Sequence, residues 1–529
     1  MYLDLIGLPP TAEQLADEED FEQIVDRLLA SPHYGERWGR HWMDVWRYSD
    51  WFGLGEQLRN SQKHLWRWRD WIVNSLNLDK GYDRMILEML AGDELDPENP
   101  DVVVGTGFLA RNYYLFNRTT WLDDTSEHTG KAFLGLTINC AKCHDHKFDP
   151  ISQVDYYRFR AIFEPHQIRL DAVPGQTDFD IDGLPRAFDD HPDAETWLHV
   201  RGNPADPDKT TRIEPGVPKY LADFAPEPQP VELPLSAWAP GVRDYVQRDQ
   251  LAAAERKLKQ ADEGRKQARA VESESTVVSA LPEELKRESV PAAEESASSV
   301  PAATVLAEAK FVEAQAELRA LRARIGADNA VLRGRGKSDP ASAVQLEREH
   351  ALAVARVNVL TAKAGNEDAV KKALTSAEMA LRKPVDTDYT SLRGSFKGLE
   401  TPEHTEPQYS ATYTKTSTGR RTALARWVTS RENPLTARVA VNHIWLRHFG
   451  QPLVESVFDF GRWSARLPRG GTDRIRLEHE ASAPPDSYIQ NLASKLVQPK
   501  FRSGHAGQRF RQPFLLAYEL TTYGITSRP

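Results

Sequence analysis

Two cysteines and a histidine carry the most chemistry in this chain, in the run Cys140-Ala141-Lys142-Cys143-His144. On a helical turn, positions i, i+3 and i+4 share a face. Cys140 and Cys143 can then each form a thioether to one vinyl group of a single porphyrin. His144 projects toward the iron as its proximal ligand. The cofactor expected on this reading is covalently attached haem c. Two other chemistries can use the same residues: a transition-metal site for zinc or iron, and a redox or structural thiol pair. A metal would need more ligands than the cysteines, and the candidates are His144, His146, His128, Asp123 and Asp124. Zinc modules more often carry a second ligand pair a dozen or more residues away, and no such pair follows.

A haem iron has a sixth position as well. Met43, Met85 and Met89 could fill it, as could His41, His64, His128 or His146. Each methionine also falls on a helical core pattern. His146 is close in sequence to the proximal ligand and poorly placed to reach the opposite face. An open sixth position would permit small-ligand chemistry in place of simple electron transfer.

Other constellations are weaker. Asp123, Asp124, Glu127 and His128 could form an acidic site, or simply a solvated helix start with acids at the positive end of the dipole. Trp66-Arg67-Trp68-Arg69-Asp70-Trp71 could stack on a sugar, or pack as a helix with its arginines outside. No nucleophile elbow, phosphate loop or dinucleotide fingerprint is present.

The elements that must position these residues follow from pattern. The chain has 529 residues, enough for about three domains. A net charge of -10 argues against general nucleic-acid binding. No apolar run approaches the ~20 residues that span a bilayer. The two cysteines are too close to staple a fold as a structural disulfide. Met1-Tyr2-Leu3-Asp4-Leu5 runs directly into Gly7-Leu8-Pro9-Pro10, which reads as the interior of a domain, so an upstream start with an export signal is expected.

Helical spacing recurs through Phe21, Ile24, Val25, Leu28 and Leu29; through Trp38, Trp42, Val45 and Trp46; through Leu65, Trp68, Ile72 and Val73; and through Tyr82, Met85, Ile86 and Met89. The expected fold is mainly α. Residues 1–168 form a helical N-terminal domain bearing the cysteine motif. Residues 169–245 read as an irregular Pro/Asp-rich connector. Residues 246–384 read as a coiled-coil hairpin with seams through Phe311, Ala314, Leu318, Leu321 and Ile325 and through Leu352, Val354, Val357 and Leu360. Its insertion, 271–303, is expected to be disordered. Residues 386–461 read as a partial helical C-terminal domain, and 462–529 as an atypical basic tail. The middle region suits a spacer or a stalk for self-association.

Several stretches are similar to a known family. Leu5-Ile6-Gly7-Leu8-Pro9-Pro10-Thr11, Tyr34-Gly35-Glu36-Arg37-Trp38, His41 to Val45, Leu90-Ala91-Gly92-Asp93-Glu94-Leu95 and Cys140 to Pro150 resemble the planctomycete cytochrome-like family known as domain of unknown function 1549. Asn433 to Val439, Val441-Asn442-His443-Ile444-Trp445 and Phe458-Asp459-Phe460-Gly461 resemble its usual partner, domain of unknown function 1553. The resemblance implies an exported protein, often preceded by a separate cytochrome c domain. It also implies a site near polymer breakdown at the cell envelope. The sequence departs from the pattern in lacking an exported beginning and in its arginine-rich tail after Gly461.

Three functions are then open. The first is a mono-haem protein of electron transfer or haem-dependent oxidation, periplasmic or otherwise extracytoplasmic, with a redox protein or an attached cytochrome domain as partner. The second is a non-haem metal protein, a hydrolase of envelope polysaccharide. The third is a non-catalytic scaffold.

Overall fold

The structure is a computed structural model. It describes residues 1–461 except 17–18, 50–62, 112, 115, 225–226, 280–299, 337, 364 and 386. The basic tail, 462–529, lies outside the described residues.

The chain is mainly α. Helix α1 (Phe21–Leu29) starts at a capping box in which Asp20 accepts from the Gln23 amide, and it buries Val25 and Leu28. Helix α2 (Pro32–Val45) starts with Ser31 as its cap and Pro32 at the first position, and buries Tyr34, Trp38, Trp42 and Val45 on one face. Helix α3 (Trp66–Asn77) crosses it closely. At the crossing, a side chain on Gly35 would stand 2.4 Å from the Val73 carbonyl oxygen, so only glycine fits. Helices α4 (Tyr82–Leu95), α5 (Arg118–Thr129) and α6 (Gln153–Ala161) complete this layer. Trp46, Trp68 and Trp121 are wholly buried at its centre. Trp66 remains exposed with Arg67 stacked on it, so the tryptophan-arginine run is a packed helix with arginines outside.

Residues 169–245 are not an irregular connector. Strands β1 (His166–Asp171) and β2 (Leu184–Asp189) pair antiparallel, and β3 (Thr196–His199) pairs with β4 (Pro207–Ile213). Every residue of β1 and β2 is buried, the charged ones included. Arg169, Arg186 and Arg243 converge on Asp171 at 2.7, 3.3 and 2.8 Å. Charged residues that are buried as ion pairs erase the polar/apolar alternation by which a strand is read.

Among the described residues, the middle region forms more helices than the two of a hairpin: α7 (Asp244–Ser279), α8 (Val300–Val331), α9 (Pro340–Thr361) and α10 (Glu367–Arg382). Neighbours run antiparallel. Arg322 reaches Glu255 and Arg333 reaches Asp244 across the first pair, and Arg324 reaches Glu347 across the second. Ala314, Leu318, Leu321 and Val357 are buried between them. Residues 271–279 and 300–303, expected to be disordered, are helical; the rest of that insertion lies outside the described residues.

The helical arm interrupts one body. Short strand β6 (Ser395–Lys397) returns from beyond the arm to pair with β1, giving the order β2-β1-β6. Likewise β5 (Val231–Glu232) pairs with β7 (Thr416–Ser417). Helices α11 (Arg420–Val428) and α12 (Thr436–Phe449) then pack Leu424, Trp427, Val428 and Ala440 into the same core as the N-terminal tryptophans. No helix among the described residues is long and apolar enough to cross a membrane.

Candidate functional site

The cysteines lie on a tight turn, not on an α-helix. Residues Ile138–Lys142 form a 3-10 turn, and Cys143 continues it. Ile138 and Ala141 are wholly buried and pin the turn to the core. Cys140 and Cys143 face outward as free, exposed thiols, and His144 is exposed beside them. The turn is held through Lys142. Its carbonyl accepts from Gln153 Nε2 (2.9 Å) and the Tyr157 hydroxyl (3.2 Å). Its ammonium meets Asp123 Oδ2 at 2.7 Å.

Each histidine of the motif is in a defined state. His144 Nδ1 lies 2.7 Å from the Asp145 carbonyl oxygen. A carbonyl only accepts, so Nδ1 carries a proton; of the two neutral tautomers this is the one that leaves the Nε2 lone pair for a ligand. His146 is the opposite case. Its Nδ1 accepts from the Asp149 amide (2.9 Å), and its Nε2 lies 3.2 Å from Thr137 Oγ1. Both ring nitrogens hold the loop together, so His146 would have to give up one of these bonds to ligate a metal.

Residues 1–168 match the family model PSCyt2, a protein of unknown function (DUF1549), and residues 420–468 match PSD1, a protein of unknown function (DUF1553). The chain carries both domains. The comparison with curated proteins and the comparison with solved structures each find no match.

Within the DUF1549 domain, the remaining metal candidates do not converge. Asp123 is spent on Lys142, on the Tyr156 hydroxyl (2.6 Å) and on Arg160 (3.2 Å). Asp124 faces the charge of Arg111 instead. His128 is held neutral: burial, then Arg111, Arg47 and Lys131, lower its pKa to about 3. Among the described residues, no three of His144, His146, His128, Asp123 and Asp124 bring ligand atoms within 4.8 Å of one another, nor does any third ligand join both thiols at that spacing. Among the described residues, the groups that do converge each draw their third member from far along the chain: Asp190 and His191 with Glu400, and Glu313 and Glu317 with His350. Each already holds a lysine ammonium. Lys397 contacts Asp190 and sits 3.3 Å from Glu400. Lys257 sits 2.9 and 2.6 Å from Glu313 and Glu317.

The sixth-ligand candidates are mostly committed elsewhere. Met85 and Met89 are wholly buried in the aromatic core, and Met43 packs against it. His64 Nε2 bonds the Phe179 carbonyl at 2.8 Å. His41 packs edge-on against Trp38, and burial lowers its pKa to about 4.

The two domains are joined by a buried ionic network that the sequence does not announce. Arg421 of the DUF1553 segment grips Asp93 through two bonds of 2.6 and 2.8 Å, and meets Glu94 and Asp189 at 3.2 Å each. All four side chains are buried. One guanidinium for three carboxylates leaves an excess of negative charge. Burial pushes the Glu94 carboxyl up to about 7 against the pull of Arg421, and Asp189 and Asp93 push the same way. The hydroxyl of Ser417 lies 2.7 Å from Glu94 Oε1 and 2.8 Å from Asp189 Oδ2. A hydroxyl has one proton for two acceptors, so a proton on Glu94 completes the set.

Proposed function

We propose that Cys140, Cys143 and His144 form a c-type haem attachment site, and that the protein works in electron transfer or a haem-dependent oxidation outside the cytoplasm. The observation that carries this reading is that two free, exposed thiols and an exposed imidazole stand on one tight turn, pinned to the core from beneath. A metal cage needs its donor atoms gathered around one ion, within a few ångströms of one another. Haem c needs them spread, because the sulfurs bond the rim of the ring and the imidazole bonds its centre. Among the described residues, the two thiols and His144 belong to no group of three or more candidate ligands drawn close enough to share one ion.

The residues present fit the group in three further respects. Both thiols are free and exposed. The bond from His144 to the Asp145 carbonyl fixes the tautomer that leaves Nε2 to ligate. Phe148, Val154 and Val200, around the turn and its neighbouring loop, leave apolar surface exposed. The bound group would supply one-electron redox chemistry. The chain's own part is to fix the imidazole, anchor the ring edge and hold Lys142 and Asp123 as a charged margin. Such a site lies at the surface, open to a redox partner or an attached cytochrome domain. The exposed apolar residues of the arm, among them Val305, Val312, Leu360 and Met379, further support self-association through that region.

Production in a host with cytochrome c maturation machinery tests the site. The purified protein is expected to show a haem absorption spectrum that survives denaturation. A colourless protein with stoichiometric zinc or iron would overturn the haem reading and restore the metal one.

A further inference from the structure

Cys140 and Cys143 are equivalent in sequence but not in surroundings. The loop between β3 and β4, residues 200–206, passes close beside Cys143 at Gly202 and leaves the cysteine partly exposed. A Cβ at Gly202 would stand 2.5 Å from Cys143 Sγ and 3.4 Å from its Cα. Gly202 has φ +74, and Arg201 before it is also left-handed at φ +52. A left-handed backbone costs an ordinary residue about 1–2 kcal/mol, so Arg201 keeps this shape only because its surroundings impose it. Several contacts do so. The loop closes on itself by bonds from Val200 N to the Asp206 carbonyl and from Asn203 N to the Val200 carbonyl. The Gln153 amide nitrogen ties loop to turn, donating to the carbonyls of both Lys142 (2.9 Å) and His199 (3.1 Å). Tyr157 spans the same two pieces, bonding the Lys142 carbonyl while its ring meets His199 edge-on.

We propose that this loop is a gate on one of the two thiols: Gly202 is the positioning residue that lets Cys143 react, and Gln153 is the tie that keeps the gate close. Both thiols reach solvent, but only Cys143 has the loop against its sulfur, so Cys143 is the controlled one. The haem consequence rests on the function proposed above; the gating itself does not. Thioether formation adds the S–H across a vinyl group. The sulfur bonds one vinyl carbon, the proton goes to the other, nothing leaves and nothing is oxidised. That new carbon on Cys143 Sγ needs the space a side chain at residue 202 would take.

The test is site-resolved alkylation of the reduced, haem-free full chain with iodoacetamide, read by peptide mass spectrometry, with Cys140 as the internal reference. In the natural protein Cys140 is expected to react faster than Cys143. Gly202→Ala should widen the ratio by roughly tenfold, the factor that about 1.4 kcal/mol of added barrier gives. Gln153→Leu should narrow it. If Gly202→Ala unfolds, seen as loss of its aromatic circular dichroism, Gln153→Leu decides alone. Equal rates at the two cysteines, or a ratio unmoved by Gln153→Leu, would overturn the gate. In a maturation-competent host, Gly202→Ala should carry haem through Cys140 only. If the natural protein binds no haem, that result sinks the cofactor, and the alkylation ratio still decides the gate.

Discussion

At the residue scale, the spacing of Cys140, Cys143 and His144 was legible and their setting was not. Spacing shows that three groups can share a face. It does not show that Ile138 and Ala141 pin the turn from beneath, or that Gly202, far along the chain, packs on one sulfur. The metal candidates are dispersed for a related reason. Asp123 and Asp124 are neighbours in sequence yet point to different partners, and His146 spends both nitrogens on its own loop. His144→Ala should therefore separate anchoring from ligation. The variant is expected to keep covalent haem, because the thiols remain, while its absorption spectrum and midpoint potential shift with loss of the axial imidazole. A colourless His144→Ala beside a coloured parent would mean that the histidine is needed for attachment as well.

At the element scale, the tryptophan helices were readable from their periodicity, because they put one apolar face on one core. The strands were not, because β1 and β2 bury arginine and aspartate in pairs and so lose the alternation that marks a strand. The link between domains was also hidden. Arg421 and its carboxylate partners come from segments separated by the whole arm, and no local pattern joins them. Removing one member of a buried ionic group leaves the others uncompensated. Arg421→Met is expected to cost about 3–5 kcal/mol, measured as a drop in the urea midpoint. A loss below about 1 kcal/mol would mean that the network contributes no cohesion. The arm should be separable by contrast. It leaves and re-enters one body whose strands pair across it. Deleting residues 246–384 should keep the aromatic circular dichroism of the core and any haem, while changing the oligomeric state on gel filtration. An unchanged elution state would exclude self-association through the arm.

At the scale of the whole molecule, stability should follow pH in a predictable way. Burial holds His41 and His443 at about 4 and His128 and His166 at about 3, each below the ordinary 6.5. Below pH 6.5 the unfolded chain takes up protons at these sites and the native chain does not. Their contribution is present above pH 6.5 and is lost as pH falls. Glu94 works the other way. Its native carboxyl stays protonated up to about 7 against 4.5 when unfolded, so its contribution is lost as pH rises through that window. Four histidines oppose one glutamate, so urea midpoints are expected to fall on acidification from pH 6.5 to 4.5. Glu94→Gln should remove the opposing term and steepen that fall; an identical slope in the variant would refute the protonated Glu94.

Covalent haem on Cys140 and Cys143 is tested most directly by intact-mass spectrometry of the denatured full chain from a maturation-competent host. Because addition to a vinyl group expels nothing, the predicted mass is that of the polypeptide plus one whole haem, lost together with the colour in the Cys140→Ser, Cys143→Ser double variant. A parent chain at the bare polypeptide mass, from a host that matures other c-type cytochromes, would contradict it.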